Sequence, residues 1–262
     1  MKIAIIGYGK MGHMIEEVAL ERGHQVVCIV DANPNWKIQE FEDLKIYSPD
    51  EGFETEAFRS ADVAIEFTTP ATAEANIRAA WAQGVPVISG STGWNVAFGN
   101  RCAMVDTAPL NRQATDASAL PKNWKFSGTP NKIEVQSEEG KVMLVWSSNY
   151  SVGVNIFFDI NQLLAEKMSE QPQYTPSITE THHIHKLDKP SGTAKTLAEQ
   201  IEDKLKIKNY ELKIESIREG EVPGTHEVKW DSEEDTIVIT HIAKGRRGFA
   251  LGAVLAAEGL TR

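Results

Sequence analysis

Cysteine is scarce. Cys28 and Cys102 are the only two in 262 residues, and they stand in no CxxC pair and at no metal-ligand spacing. That removes a cysteine-built metal site, and free thiols in a reducing compartment are expected. No apolar run is long enough to span a bilayer. The run Ile3 to Ile6 is too short for the core of a secretory signal and has no cleavage pattern, so a cytoplasmic protein without a membrane partner is expected. Basic residues are the minority, 27 Lys+Arg against 37 Asp+Glu, for a formal net charge of -10. This balance argues against nucleic acid as a partner, because phosphate backbones need a basic face. A small anionic ligand stays open, since a local site can be basic on an acidic protein.

The rest of the composition is ordinary. Hydrophobic residues make up 41% and charged residues 24%, enough for a real core, and the length suits one or two domains. The first half alternates strand-like and helix-like segments. Ile3–Ile6 reads as a buried strand, and Met11 to Glu21 carries apolar residues at helical spacing, stopped by Gly23. Strands are predicted at Gln25–Val30, Asp62–Phe67 and Pro86–Ser89, with a helix over Ala71–Gln83 closed by Gly84. Strands alternating with helices imply βαβ units and a parallel sheet. From Asn95 to about Glu134 sustained periodicity is lost, and Pro109, Pro121, Gly128 and Pro130 break the chain. Lys141–Trp146 restores a strand. The second half reads as strands at Ser177–His183, Lys213–Ile217 and Thr236–Ile242 of a mixed or antiparallel sheet. Ala194–Leu205 and Gly248–Leu260 are predicted helices.

Gly7-Tyr8-Gly9-Lys10-Met11-Gly12 matches GxGxxG between a predicted strand and a predicted helix, the context that gives the motif its meaning. Gly7 permits the tight turn, Gly9 lets backbone approach a pyrophosphate, and Gly12 allows close helix–strand packing. The helix N-terminus would face the negative charge. Asp31 lies 19 residues after Gly12, at the end of the second strand. Its carboxylate can accept hydrogen bonds from ribose hydroxyls and would repel a 2′-phosphate, which favours NADH while leaving NADPH possible. A plain turn aspartate before Asn33-Pro34 is the bland alternative. Phe67-Thr68-Thr69-Pro70 and Gly90-Ser91-Thr92-Gly93 close the next two strands, where ligands sit in open α/β sheets. Each could equally be an ordinary turn.

Glu180-Thr181-His182-His183-Ile184-His185-Lys186 places three of the seven histidines within four residues. In an extended chain His182, Ile184 and Lys186 share one side, with His183 and His185 opposite. A metal site is disfavoured: no cysteine is near and the spacing is not HExxH. The sequence then runs through Leu187-Asp188-Lys189-Pro190-Ser191-Gly192-Thr193-Ala194-Lys195 into a helix. Ser191 and Thr193 are capping residue types and Gly192 leaves backbone amides open, so this helix start can hold a carboxylate, with Lys186 adding charge. A well-capped helix without a ligand is the plain alternative.

On these residues the chain resembles the dihydrodipicolinate reductase family. The resemblance rests on Gly7 to Gly12, Phe67 to Pro70, Gly90 to Gly93 and Ser147-Ser148-Asn149-Tyr150-Ser151-Val152-Gly153-Val154-Asn155. It rests most of all on Glu180 to Ala194, close to the family signature EAHHxHKxDxPSGTA. Val222 to Thr225 and His241 to Ala253 also fit. The stretch 95–140 does not match and looks longer than the family's connection.

The resemblance implies reduction of 4-hydroxy-tetrahydrodipicolinate with NADH or NADPH in lysine and diaminopimelate biosynthesis, in a homotetramer. It places the general acid at His182 and a second catalytic residue, also meeting a substrate carboxylate, at Lys186. His183, Gly192 and Thr193 fall on substrate-binding positions, beside Ser191. Gly90, Ser91, Thr92, Ser147, Ser148, Asn149 and Tyr150 line the nicotinamide side, and Arg246 and Phe249 approach the cofactor. Thr69 stands where some members carry arginine, and Ala32 offers none after Asp31; both weaken a preference for NADPH. The expected architecture is α/β: a Rossmann-type parallel sheet over residues 1–150, completed by 241–262, and a smaller α+β substrate and oligomerisation domain over 151–240 with a mixed sheet. Another NAD-dependent dehydrogenase, of amino acids or sugars, is the rival enzyme reading, opposed by the histidine-lysine segment. A non-catalytic NAD sensor is the rival binding reading.

Overall fold

The structure is a computed structural model that describes residues 1–33, 45–92, 94, 131–137, 140–147, 149–205 and 212–260. In chain order the elements are β1 (Lys2–Ile6), α1 (Lys10–Glu21), β2 (Gln25–Val30), β3 (Ile46–Tyr47), α2 (Pro49–Gly52), α3 (Glu56–Arg59), β4 (Val63–Glu66), α4 (Ala73–Ala82), β5 (Val87–Ser89), β6 (Asn131–Ser137), β7 (Gly140–Trp146), α5 (Val152–Met168), β8 (Thr175–His182), α6 (Gly192–Leu205), β9 (Lys213–Arg218), β10 (Thr225–Asp231), β11 (Thr236–Ile242) and α7 (Arg247–Leu260). The chain forms two compact units. One holds the described residues up to Tyr150 and those from Phe249 on; the other spans Ser151–Gly248.

In the first unit seven strands lie in the order β3-β2-β1-β4-β5-β7-β6. Six are parallel, and β6 pairs antiparallel with β7. A parallel sheet covered on both faces needs strands without a polar side, and β4 is buried at every position. Ala4, Ile6, Cys28 and Val30 face Ile77, Ala80 and Trp81 of α4. On the other face Ile3, Ile5 and Ile29 meet Ile15, Val18 and Ala19 of α1 and Ala250, Ala253, Val254 and Ala257 of α7. Each fully buried isoleucine contributes roughly 1.5–3 kcal/mol over leaving it in water. Gly252 lets α7 dock, because a Cβ there would lie 1.6 Å from the Tyr150 carbonyl oxygen. Arg22 and His24, at the end of α1, both meet Glu258 of α7 at 2.6–2.9 Å. Cys28 is a buried free thiol pushed up to about 11 by that burial, so it is unreactive near neutrality.

The second unit carries a four-stranded mixed sheet in the order β11-β10-β8-β9, with β8 and β9 parallel and the other pairs antiparallel. Ile178, Val228 and Trp230 pack from its inner face against Phe157 and Phe158 of α5 and Leu197 and Ile201 of α6. Alternate residues of β8 are buried, which puts Ile178, Glu180 and His182 on the same side.

The expected α/β class and both sheets are present. The predicted return to the first unit at 241 comes instead at Phe249, because His241 and Ile242 still pair with β10. The stretch read as aperiodic up to Glu134 contains β6 from Asn131 onward, an edge strand. Helix α5 went unassigned in the sequence. Its outer face also carries apolar Val152, Ile156, Ile160 and Leu163, so the contrast between its faces is weak. The two-residue strand β3 and one-turn helices α2 and α3 are too short for periodicity to show. No helix among the described residues is long and apolar enough to cross a membrane.

Candidate active site

In the first unit the glycine loop joins β1 to α1. Gly7 has φ +91, and a Cβ on it would lie 2.3 Å from the Phe67 carbonyl oxygen; a Cβ on Gly12 would lie 2.3 Å from the Gly7 carbonyl oxygen. Both glycines are required by the protein's own packing. Gly9 differs: nothing lies within 4 Å of the Cβ it lacks. It caps α1 without a side-chain hydrogen bond, and the first turn holds no acidic residue. A backbone helix start of this kind, with room kept beside Gly9 and no acidic residue in its first turn, fits a pyrophosphate.

Tyr8 turns its side chain inward. It is fully buried, its hydroxyl donates to Glu16, and its ring stacks on His13 at 4.0 Å. Its backbone alone faces outward chemistry, so of the loop residues Tyr8 contributes an amide at most. That amide donates to Asp31 Oδ2 at 2.6 Å, and Asp31 Oδ1 accepts from Asn33 N–H at 2.7 Å. Lys10 is exposed and Met11 half-buried, the latter packed on the core.

The parallel strands β1, β4, β5 and β7 are neighbours, so the segments after them share one edge of the sheet. Phe67, Thr68, Gly90, Ser91, Thr92, Ser147, Asn149 and Tyr150 therefore come together there with the glycine loop. Ser148 and Gly93 lie outside the described residues. A carboxylate not singled out in the sequence organises this edge. Glu66, the last residue of β4, is fully buried. It accepts from Thr68 N–H at 2.9 Å, the Ser91 hydroxyl at 2.8 Å, the Ser89 hydroxyl at 2.5 Å and the Thr68 hydroxyl. The Tyr150 hydroxyl sits 3.0 Å from the Ser89 carbonyl and 2.8 Å from that of Val145. Gly90 yields its space to the Phe67 ring, since a Cβ would fall 2.1 Å from it. Phe249 lies in the first turn of α7, half-buried and in this unit, whereas Arg246 is exposed in the second unit.

In the second unit the histidine-lysine segment follows β8. Ile184 N–H donates to Gly220 O, and Glu219 N–H to His182 O. The turn before β10 thus fixes the backbone of His182 to Ile184. His182 is buried, His183 half-buried and Lys186 half-buried, with Lys186 Nζ 2.8 Å from Asp188 Oδ1. A Cβ on Gly224, which has φ +152, would lie 3.1 Å from His182 Nε2. Ser191 caps α6, accepting from Ala194 N–H at 3.2 Å. Gly192 is exposed with nothing near its missing Cβ, and Thr193 is half-buried beside it.

Behind these groups stands Glu180, fully buried. It accepts from Ser191 N–H at 3.0 Å and from Arg218 at 3.2 Å. Burial alone would raise its pKa, but hydrogen bonds from Ser191, Ser216 and Arg218 outweigh that and bring it to about 2. Arg218 also donates to the carbonyls of Lys186 and Asp188, holding the loop to the buried acid. His226, opposite Glu180 in the sheet register, lies with Nε2 3.2 Å from Ser191 Oγ. Burial, then the neighbouring His182, lower it to about 4. Burial likewise lowers the pKa of His182, and Glu180 opposes the shift. Glu180, Arg218 and His226 escaped the sequence reading as functional residues. The signal present was a carboxylate on the inward side of an alternating strand, which demands partners.

Ligand atoms of Glu180, His182 and His226 lie within 4.8 Å of one another, a spacing able to hold a divalent ion. The Arg218 guanidinium and the Ser191 amide already engage that carboxylate, and a second cation there would be repelled.

The family model described as "Dihydrodipicolinate reductase, N-terminus" matches residues 1–104, and "Dihydrodipicolinate reductase, C-terminus" matches residues 153–262. The chain belongs to the dihydrodipicolinate reductase family. Among its relatives is a 4-hydroxy-tetrahydrodipicolinate reductase of Christiangramia forsetii, 38% identical over 270 residues, covering 99% of this chain and 92% of that protein. Another, of Archaeoglobus fulgidus, is 31% identical over 281 residues, covering 100% and 95%. The dipicolinate-bound dihydrodipicolinate reductase of Paenisporosarcina sp. TG-14 shares the fold, with a TM-score of 0.67 at 17% identity over 100% of this chain and 94% of that one. The N-terminal domain of the dihydrodipicolinate reductase family is a nucleotide-binding domain, and here it carries the glycine loop.

Proposed function

We infer that the chain catalyses the NAD(P)H-dependent reduction of 4-hydroxy-tetrahydrodipicolinate to tetrahydrodipicolinate, in lysine and diaminopimelate biosynthesis. The observation that carries the reading is the second unit's pairing of a buried histidine, His182, with an exposed helix start capped by Ser191. A proton donor and an anion-holding group thus flank one loop, as a carboxylated substrate requires.

The bound cofactor supplies the hydride. In the first unit, amides around Gly9 to Gly12 hold the pyrophosphate and Asp31 the ribose. Phe67, Thr68, Gly90, Ser91, Thr92, Ser147, Asn149, Tyr150 and Phe249 line the nicotinamide side of the cofactor. In the second unit, Lys186, His183, Ser191, Gly192 and Thr193 hold the substrate carboxylates. Loss of the 4-hydroxyl as water forms the conjugated ring, hydride addition to it would leave an enamine, and His182 would supply that enamine's proton. Lys186 and the helix-terminal amides offset the substrate's negative charge. NADH is preferred, a reading supported by Asp31 followed by Ala32 and by Thr69. The second unit also builds a homotetramer, supported by exposed Ile217, Val238 and Ile242 on its sheet; sedimentation would read the mass.

The test follows NADH absorbance as the purified protein meets substrate made fresh from pyruvate and aspartate semialdehyde by the preceding synthase. Oxidation that requires both proteins is expected. NADH binding without oxidation would overturn the substrate assignment in favour of a sensor.

A further inference from the structure

We propose that Glu180 is the positioning residue of His182: its carboxylate fixes which ring nitrogen carries the proton and, through the Ser191 amide, holds the start of α6 in step with that ring. The proposal rests on the reading of His182 as proton donor.

The geometry is local to one strand and its two neighbours. β8 alternates, so Glu180 and His182 project to the same buried side. Glu180 Oε2 lies 3.5 Å from His182 Nδ1, and that nitrogen has no hydrogen-bond partner among the described residues. An ionised carboxylate only accepts. A ring nitrogen facing it across this gap is favourable as N–H and unfavourable as a lone pair. Neutral His182 is therefore the Nδ1–H tautomer, and the transferable proton of the imidazolium sits on Nε2, beside the bare Cα of Gly224. In the proton-transfer step the Nε2–H bond breaks as a C–H bond forms on the substrate, and the ring returns to the Nδ1–H tautomer. The other sides of Glu180 are occupied by Ser191 N–H and Arg218, so the carboxylate cannot turn away from the ring without losing both.

The charged and titratable groups around His182 are Glu180 on its own strand, Lys186 and Asp188 in the loop that follows, Arg218 on β9 and His226 on β10, with His241 of β11 beyond His226. Burial, Lys186 and Arg218 disfavour the imidazolium, and Glu180 is the largest influence in its favour. A general acid works only while protonated, so its rate falls above its pKa. Removing the Glu180 charge lowers that pKa, and the fall moves to lower pH.

Nitrogen NMR of the histidines in the full-length protein reads the tautomer directly, without a variant. Nδ1–H is expected for neutral His182, and an Nε2–H tautomer would overturn the proposal whether or not any variant folds. In the coupled assay, Glu180→Gln should move the basic limb of the kcat profile down by about one pH unit or more, with the KM for NADH unchanged. Glu180→Asp, which keeps the charge, should leave the limb near its original position. A uniform loss of rate in Glu180→Gln with the limb unmoved would make Glu180 merely structural and sink the proposal alone. Turnover that survives His182→Ala would instead remove the donor reading, and the proposal with it.

Discussion

The backbone N–H of Tyr8 and the carboxylate of Asp31 meet at 2.6 Å, which ties the glycine loop to the end of β2. Asp31 therefore shapes the loop, and on the function proposed above it would also face the ribose 2′ position. Asp31→Ser should shift the NADPH-to-NADH ratio of kcat/KM toward NADPH by about tenfold, roughly 1.4 kcal/mol. Steady-state kinetics with both cofactors checks this. An unchanged ratio would show that Asp31 serves the loop alone.

Gly9 and Gly12 stand three residues apart and should respond in opposite ways to the same substitution. Gly9→Ala meets no protein atom and has an ordinary φ of -76, so its melting temperature should stay near that of the parent while NADH binding weakens at least about tenfold. Gly12→Ala drives a Cβ against the Gly7 carbonyl. Overpacking of this kind costs about 1–3 kcal/mol, so its melting temperature should drop by several degrees. Thermal melts and NADH fluorescence titrations separate the two, and normal NADH binding by Gly9→Ala would remove the loop as the pyrophosphate seat.

His182→Ala should lower turnover about 10²–10⁴-fold, the usual loss for a general acid, while NADH binding to the first unit is retained. Stopped-flow oxidation and NADH titration on one sample measure both. Equal losses in binding and turnover would mean that the substitution damages the fold.

Acid should loosen the second unit in two stages. Folded His226 stays neutral down to about 4, whereas an unfolded histidine takes a proton near about 6.5. The unfolded chain then binds more protons, so stability present above about 6.5 declines as pH falls toward 4. Glu180 is depressed to about 2 from its ordinary 4.5. Its contribution is present above about 4.5 and is lost as pH falls to about 2. Each loss is on the order of a few kcal/mol. Urea melts across this range should show both stages, and His226→Gln should weaken the first. A flat profile between about pH 7 and 4 would refute the His226 assignment.

Much of this was legible because it is local. The strand–GxGxxG–helix unit, the placement of Asp31 and the Ser191 cap are matters of spacing within a few residues. The parallel sheet followed from alternation, and β2 and β11 coincide with the predicted spans. What stayed hidden depends on the third dimension. Glu66 gathers Ser89 and Ser91 from a neighbouring strand, and Arg218 lies 38 residues from Glu180. His226 becomes meaningful only once β10 is known to pair with β8 in that register. Helix α5 escaped because both its faces carry apolar residues, so periodicity had little polar contrast to reveal.

Helix α7 has a consequence for how the molecule is made. It supplies Ala250, Ala253, Val254 and Ala257 to the face of the sheet that α1 also covers, yet these residues are translated after the whole of Ser151–Gly248. The first unit's core cannot close while its earlier strands emerge from the ribosome. Its α1 face waits, half-built, through synthesis of the inserted unit, which holds its own core and can fold meanwhile. A nascent chain arrested before α7 should thus expose apolar surface to a chaperone, and the release of the last turns should end that exposure.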